Sequence, residues 1–194
     1  MLLLVVGLAV FFAIHLVPTS PELREGLVRR LGANAYKGVF AAVSLAGLVL
    51  IVMGYHKLQI NPGKNVFLWD APAWANHITW LLMLPAMIFL VAAYIPSRIR
   101  TALKHPMLAA VKLWALAHIF PNGDLGSLLL FGSFLAYGIY DRISVKKRGA
   151  MGPLGNATGG IAGDAAVLIL GIALYAFMLH VGHTWLIGVP LLPA

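Results

Sequence analysis

Residues 105–132 of the 194-residue chain read HPMLAAVKLWALAHIFPNGDLGSLLLFG. The stretch is apolar enough to lie in a bilayer, yet it carries His105, Lys112, Trp114, His118 and Asp124. Polar side chains are costly in lipid, so a span that keeps several of them marks a functional site. His118 follows Trp114 by one helical turn in a run otherwise made of Ala, Leu and Ile. Lys112 lies midway along that run and shares a helix face with His105, seven residues earlier. It either snorkels toward the cytoplasm or pairs with an anion such as a propionate, a substrate carboxylate or Asp164. Asp124 follows Pro121–Asn122–Gly123 and precedes an apolar run, the position of a helix N-cap. A carboxylate there can also hold a histidine in one tautomer.

Seven histidines occur, at 15, 56, 77, 105, 118, 180 and 183. His15 and His105 fall at the same end of their spans, and the other five at the opposite end. His56 sits beside Lys57 and reads as an interfacial residue. His180 and His183 share a helix face at i, i+3, which suits a polar patch or an interface anchor beside Trp185. His77 has Asn76 before it and Trp80 three residues on, and its depth lets it meet His118 across a bundle. Two neutral imidazoles with flanking aromatics can ligate a haem iron. They can equally form a His–His or His–backbone hydrogen bond between helices.

The elements that position these residues follow from composition. The chain is 61% hydrophobic and 10% charged, against ~25% charged in soluble domains. Lipid must therefore solvate most of it. Long continuous apolar runs favour helices over a barrel, so the fold class is all-α, a polytopic membrane bundle forming one domain over residues 1–194. Six spans are expected, at about residues 2–17, 36–55, 74–95, 106–120, 125–140 and 164–188. Pro18 and Pro21 stop the first, Pro85 kinks the third, and Pro96 ends it. The fourth and fifth are near the lower length limit for spanning. The first has no basic leader and no small-residue cleavage site before Pro18, so it reads as a retained span.

Basic residues set the orientation. Odd connections carry Arg24, Arg29, Arg30, Lys37, Arg98, Arg100, Lys104, Arg142, Lys146, Lys147 and Arg148, whereas even ones carry only Lys57 and Lys64. By the positive-inside rule the odd connections face the cytoplasm and both termini lie outside. Arg98 and Arg100 read as interfacial anchors. Residues 20–32 suggest a short amphipathic helix on the inner surface. Residues 148–163, with six glycines, read as a flexible connector whose spacing matches no phosphate-binding fingerprint. The net charge of +8 is spread over short loops without interleaved aromatics, so nucleic acid is not an expected partner. There are no cysteines, which excludes disulfides, thiolate chemistry, iron–sulfur clusters and covalently attached haem.

The segments FFAIHLVPTS, HPMLAAVKLWALAH and NGDLGSLLLFGSFLAYGIYDR together resemble the NnrU family of bacterial inner-membrane proteins, over nearly the whole chain. The resemblance implies a multi-pass inner-membrane protein connected with nitrite and nitric oxide metabolism in denitrification. The family is in turn similar to the plastid zeta-carotene isomerase, a b-type haem enzyme. That similarity implies haem b, with His118 and His15 as axial ligands. The isomerase's alternative cysteine ligand falls at Ala115, so the chain departs from the pattern there. Thirteen residues separate His105 from His118, ~20 Å along a helix. Depth therefore favours His77 as the partner of His118, whereas the resemblance favours His15. Three functions follow: a haem-dependent isomerase or redox enzyme, a bis-His electron-transfer protein, or a non-catalytic accessory protein. A methyltransferase reading rests on Lys104–His105–Pro106 alone.

Overall fold

The computed structural model describes residues 1–152 and 154–192. Their order is α1 (Leu2–Leu16), α2 (Pro21–Leu31), α3 (Ala33–Gln59), α4 (Ala75–Ala92), α5 (Arg98–Leu103), α6 (Pro106–Ile119), α7 (Leu125–Arg148), α8 (Ile161–Phe177) and α9 (His183–Ile187). A π-helical turn, Met178–Gly182, joins α8 to α9. One isolated bridge, Phe67 with Asp124, is the only β pairing among the described residues. The all-α membrane bundle expected from composition is what forms.

Among the described residues, five segments are long and apolar enough to cross a membrane: Leu2–Thr19, Ala33–Gln59, Ala75–Ala92, Leu125–Arg148 and Ile161–Ile187. The remaining expected span, the fourth, is α6, with 14 residues. It reaches ~21 Å at 1.5 Å per residue, short of a ~30 Å hydrocarbon core. The expectation that the fifth span is also short is corrected: α7 has 24 residues. Its apolar part ends near Tyr140, but the helix continues through Arg142, Lys146 and Lys147. Those charges, like Lys37 and Lys57 in α3, ride on helix ends rather than in loops. Backbone groups leaving lipid stay satisfied that way. α4 runs through Pro85 without a break.

Contacts divide the chain into two units, Met1–Ala71 with Asn122–Ser144 and Pro72–Pro121 with Val145–Ala194. In the first unit α1 lies against α3 at backbone distance. A Cβ on Gly7 would come within 2.6 Å of the Ile51 nitrogen, and one on Gly47 within 2.8 Å of the Phe11 nitrogen. A Cβ on Gly54 would collide with the backbone of Leu4, whose side chain is fully buried. Small residues let helices approach where no hydrophobic effect drives them together. α2 is amphipathic, as its sequence pattern suggests. Pro21 occupies its first turn, and Leu27 and Val28 lie on the less exposed side.

The loop after α3 is pinned to the start of α7. Backbone N–H groups of Leu68 and Trp69 donate to the Gly123 carbonyl at 2.7 and 3.1 Å, and Leu125 N–H donates to Val66 O at 2.8 Å. In the second unit α4 packs on α6 and α8. Thr79 Oγ1 lies 2.9 Å from both the Ala75 and the Ala117 carbonyl oxygens. One hydroxyl thus serves its own helix and the neighbour. Gly171 of α8 is as close to α4, since a Cβ there would be 2.7 Å from Ile88 Cα.

Gly54→Ala should separate α1 from α3 and destabilise the protein by about 1–3 kcal/mol, the usual cost of overpacking. Gly38→Ala, which meets no atom within 4 Å, is the control. Thermal unfolding in detergent, followed by circular dichroism, should show a lower midpoint for the first variant only. Equal midpoints would disprove the contact.

Candidate functional site

His118 stands in the last turn of α6, and its Nδ1 donates to the Trp114 carbonyl at 2.8 Å. A carbonyl only accepts, so in the neutral ring Nδ1 carries the proton and Nε2 the lone pair. That is the tautomer of a metal-ligating imidazole. The half-buried ring lines a cavity of about 90 Å³ in the second unit. Met83 and Met87 of α4, Trp80, Trp114 and Met178 form its apolar walls, and Thr79, Tyr175 and His183 add polar atoms.

His183 reaches this cavity through the π turn. An α-helical path would place His180 and His183 side by side, as the i, i+3 spacing suggests. The wider π turn changes the register between them. As a result His180 is exposed, while His183 is half-buried at the cavity with Nδ1 donating to Val189 O at 2.8 Å. Gly182 is buried beneath the turn. A Cβ there would come within 2.7 Å of the Met178 sulfur and the Phe177 ring.

His77 does not face α6. It lies two residues before Thr79, about 200° around the helix, and Thr79 is the residue that bonds to α6. His77 is exposed, with its ring edge-on to Trp80 at 5.5 Å. The meeting of His77 and His118 expected from depth is therefore corrected by rotation about α4.

His15 belongs to the first unit. Its Nδ1 donates to Phe11 O at 2.7 Å, and its ring stacks on Phe11 at 4.0 Å. Phe40 and Tyr137 lie 5.2 and 5.9 Å away. The Tyr137 hydroxyl donates to the His15 carbonyl at 3.1 Å. Beside this aromatic collar, on the face of α3 that carries Phe40, the Tyr36 hydroxyl and Ser44 Oγ are buried without a hydrogen-bond partner among the described residues. Each such group costs about 1–3 kcal/mol until something polar reaches it. The sequence offered no sign of these hydroxyls, because neither residue is unusual in a helix.

Lys112 is half-buried and makes no ion pair among the described residues. Its suggested partner Asp164 is taken by Arg98, whose Nε donates to Oδ2 at 2.5 Å and whose backbone N–H donates to Oδ1 at 2.7 Å. His105 occupies the N-cap position of α6, without a side-chain capping bond, after a reversal at Lys104, which has φ 63°. Asp124 is the N-cap expected of it. Its Oδ1 accepts from Ser127 N at 2.8 Å and Asn65 Nδ2 at 2.6 Å, and its Oδ2 from Ser127 Oγ at 2.7 Å. The Tyr55 hydroxyl lies 2.9 Å from Ser127 Oγ. With its oxygens so occupied, Asp124 holds a loop and a helix together rather than a histidine.

Arg100 corrects two expectations. It is an interior residue, 5% exposed, not an interfacial anchor. It reaches into the glycine-rich connector, donating to Ala157 O at 2.6 Å and Gly155 O at 2.7 Å. Gly159 and Gly163 pack against the Pro96 carbonyl where a Cβ would not fit. The connector is thus a docked segment.

Among the described residues no three His, Cys, Asp or Glu side chains gather to hold a metal ion. The donors that do gather in one place are the imidazoles of His118 and His183 with the thioethers of Met83, Met87 and Met178. Such donors suit soft or borderline metals and haem iron. The cavity as it stands holds a small guest.

Arg100→Ala should release the connector and leave the Gly155 and Ala157 carbonyls unserved, at a cost of about 2–3 kcal/mol for charged hydrogen bonds. Limited proteolysis should then cut within residues 154–160 several-fold faster than in the wild type. Asp124→Ala should lower the unfolding midpoint by removing a cap worth about 1 kcal/mol, and Asp124→Asn should recover part of it.

No curated protein and no solved structure matches the chain. A family model, NnrU protein, matches residues 3–191. The match takes in both units, the His15 collar and the His118 cavity, and on that extent the chain belongs to the NnrU family.

Proposed function

We propose that this protein is a haem b protein of the bacterial inner membrane that serves nitrite and nitric oxide metabolism, with His118 as an axial ligand. The observation that supports the reading best is His118 itself. Its Nδ1 donates to a backbone carbonyl, and the ring lines an apolar cavity walled by methionine and tryptophan. A histidine merely buried in an apolar helix needs no such cavity. A bound haem would supply one-electron chemistry. The chain's own part is to orient the His118 ring through Trp114 O and to exclude water with Met83, Met87 and Trp80. Lipid is the solvent of the spans, and the basic helix ends favour a cytoplasmic position for the odd connections and an outer one for both termini. The resemblance names His15 as the second ligand. Isomerase chemistry is the less favoured function, because Ala115, fully buried, offers no donor where the related enzyme has its cysteine.

Protein purified in detergent from haem-sufficient cells should show a stoichiometric Soret band, and His118→Ala should lose it. Failure of the band to appear, or its persistence in His118→Ala, would refute the haem reading. Disrupting the gene should slow anaerobic nitrite consumption by the parent bacterium. Unchanged consumption would refute the metabolic role.

A further inference from the structure

Three of the chain's seven methionines line the cavity of the second unit together with His183. Thioethers and an imidazole gathered around about 90 Å³ are the donor set of a soft-metal site. We propose that Met83, Met87, Met178 and His183 hold a single monovalent cation of the copper(I) class. The proposal goes beyond the haem reading and takes no bond from His118, whose ring is part of the wall.

Each ligand is brought there by its own helix. Thr79, Met83 and Met87 follow one another at four-residue steps, so they share a face of α4. The Thr79 bond to Ala117 O fixes that face against α6. α8 runs antiparallel to α4, because Gly163 packs on Pro96 just beyond α4 and Gly171, eight residues later, packs on Ile88. Continued to Met178, that register falls level with Leu81, between Thr79 and Met83. The π turn adds His183. Its N–H donates to Met178 O, which stacks the two residues one above the other, whereas five positions of an α-helix would set them about 140° apart. A Cβ on Gly182 would come within 2.7 Å of the Met178 sulfur, so glycine leaves the thioether its place.

The chemistry of the lining selects the ion. His183 Nδ1 donates to Val189 O at 2.8 Å, which puts the lone pair of the neutral ring on Nε2. All four ligands are neutral, and among the described residues no carboxylate lines the cavity. The cost of taking an ion out of water rises with the square of its charge, so a divalent ion without an anionic ligand is disfavoured. Thioethers select copper(I) among soft ions. Trp80 and Trp114, in the same lining, are the aromatic side chains that attract a cation best.

Full-length protein in detergent is titrated anaerobically with copper(I) against a chromogenic chelator. A haem on His118 would press on the same walls, so the Soret absorbance of each sample is read first. Wild type should bind one equivalent, with sulfur dominating the copper X-ray absorption fine structure. Met83→Leu combined with Met87→Leu nearly preserves core volume and should weaken binding at least about tenfold, more than the loss of an outer-shell partner costs. Met178→Leu and His183→Ala should each weaken it too, so a folding defect in one variant does not decide the result. Met53→Leu, at an exposed position of the first unit, should leave it unchanged. No copper uptake, equal affinity in the double methionine variant, or displacement by equimolar zinc(II) would overturn the inference. Copper uptake without a Soret band would sustain it and refute the haem reading, and a Soret band without copper uptake would do the reverse.

Discussion

Backbone-to-backbone approach at glycine and alanine is the constraint on which the structure depends. In lipid the hydrophobic effect gives no reason for one apolar helix to prefer another. What remains is dispersion between surfaces close enough to touch, with a few hydrogen bonds. Gly7, Gly47 and Gly54 let α1 and α3 meet along their length, and Gly171 does the same for α8 against α4. Ala115 and Ala117, both fully buried, let α6 come near enough for Thr79 to reach a carbonyl on it. Larger residues at these positions would hold the helices apart, and the side chains that meet across them would no longer touch.

Polar groups are then used sparingly, and several tie distant segments together. Asp124 ties a helix start to Asn65 and Ser127, with Tyr55 joined through the serine. Arg98 and Arg100 fasten Asp164 and the glycine-rich connector. Both histidines singled out by the resemblance use the same device, an imidazole hydrogen bond to the carbonyl four residues back. In a helix that carbonyl already accepts from a backbone N–H, so the second bond costs little and fixes the ring. The buried hydroxyls of Tyr36 and Ser44 are the exceptions. They lie on the face of α3 that carries Phe40, whose ring is 5.2 Å from that of His15.

Much of the fold was legible in the chain. Uninterrupted hydrophobic runs bounded by proline and glycine gave the helices, and the weak fourth run proved to be the short α6. The end of α7 was misjudged because hydropathy stops where lipid stops, whereas backbone hydrogen bonding carries the helix onward through basic residues. The connector looked flexible because glycine-rich composition speaks of freedom. Its carbonyls are in fact gripped by a buried guanidinium that lies more than fifty positions away in sequence.

By itself the sequence determined that the chain is helical, that lipid surrounds it, where its spans fall, and that His118 is a polar residue out of place. Those are matters of composition and period, which are local properties. Rotation was decided by tertiary structure alone. His77 turns away from α6, His183 turns toward the cavity, and Asp164 goes to Arg98 instead of Lys112. A side chain's direction depends on which neighbour packs against its helix and on single-residue changes in winding such as the π turn. Neither leaves a mark in the hydrophobic pattern.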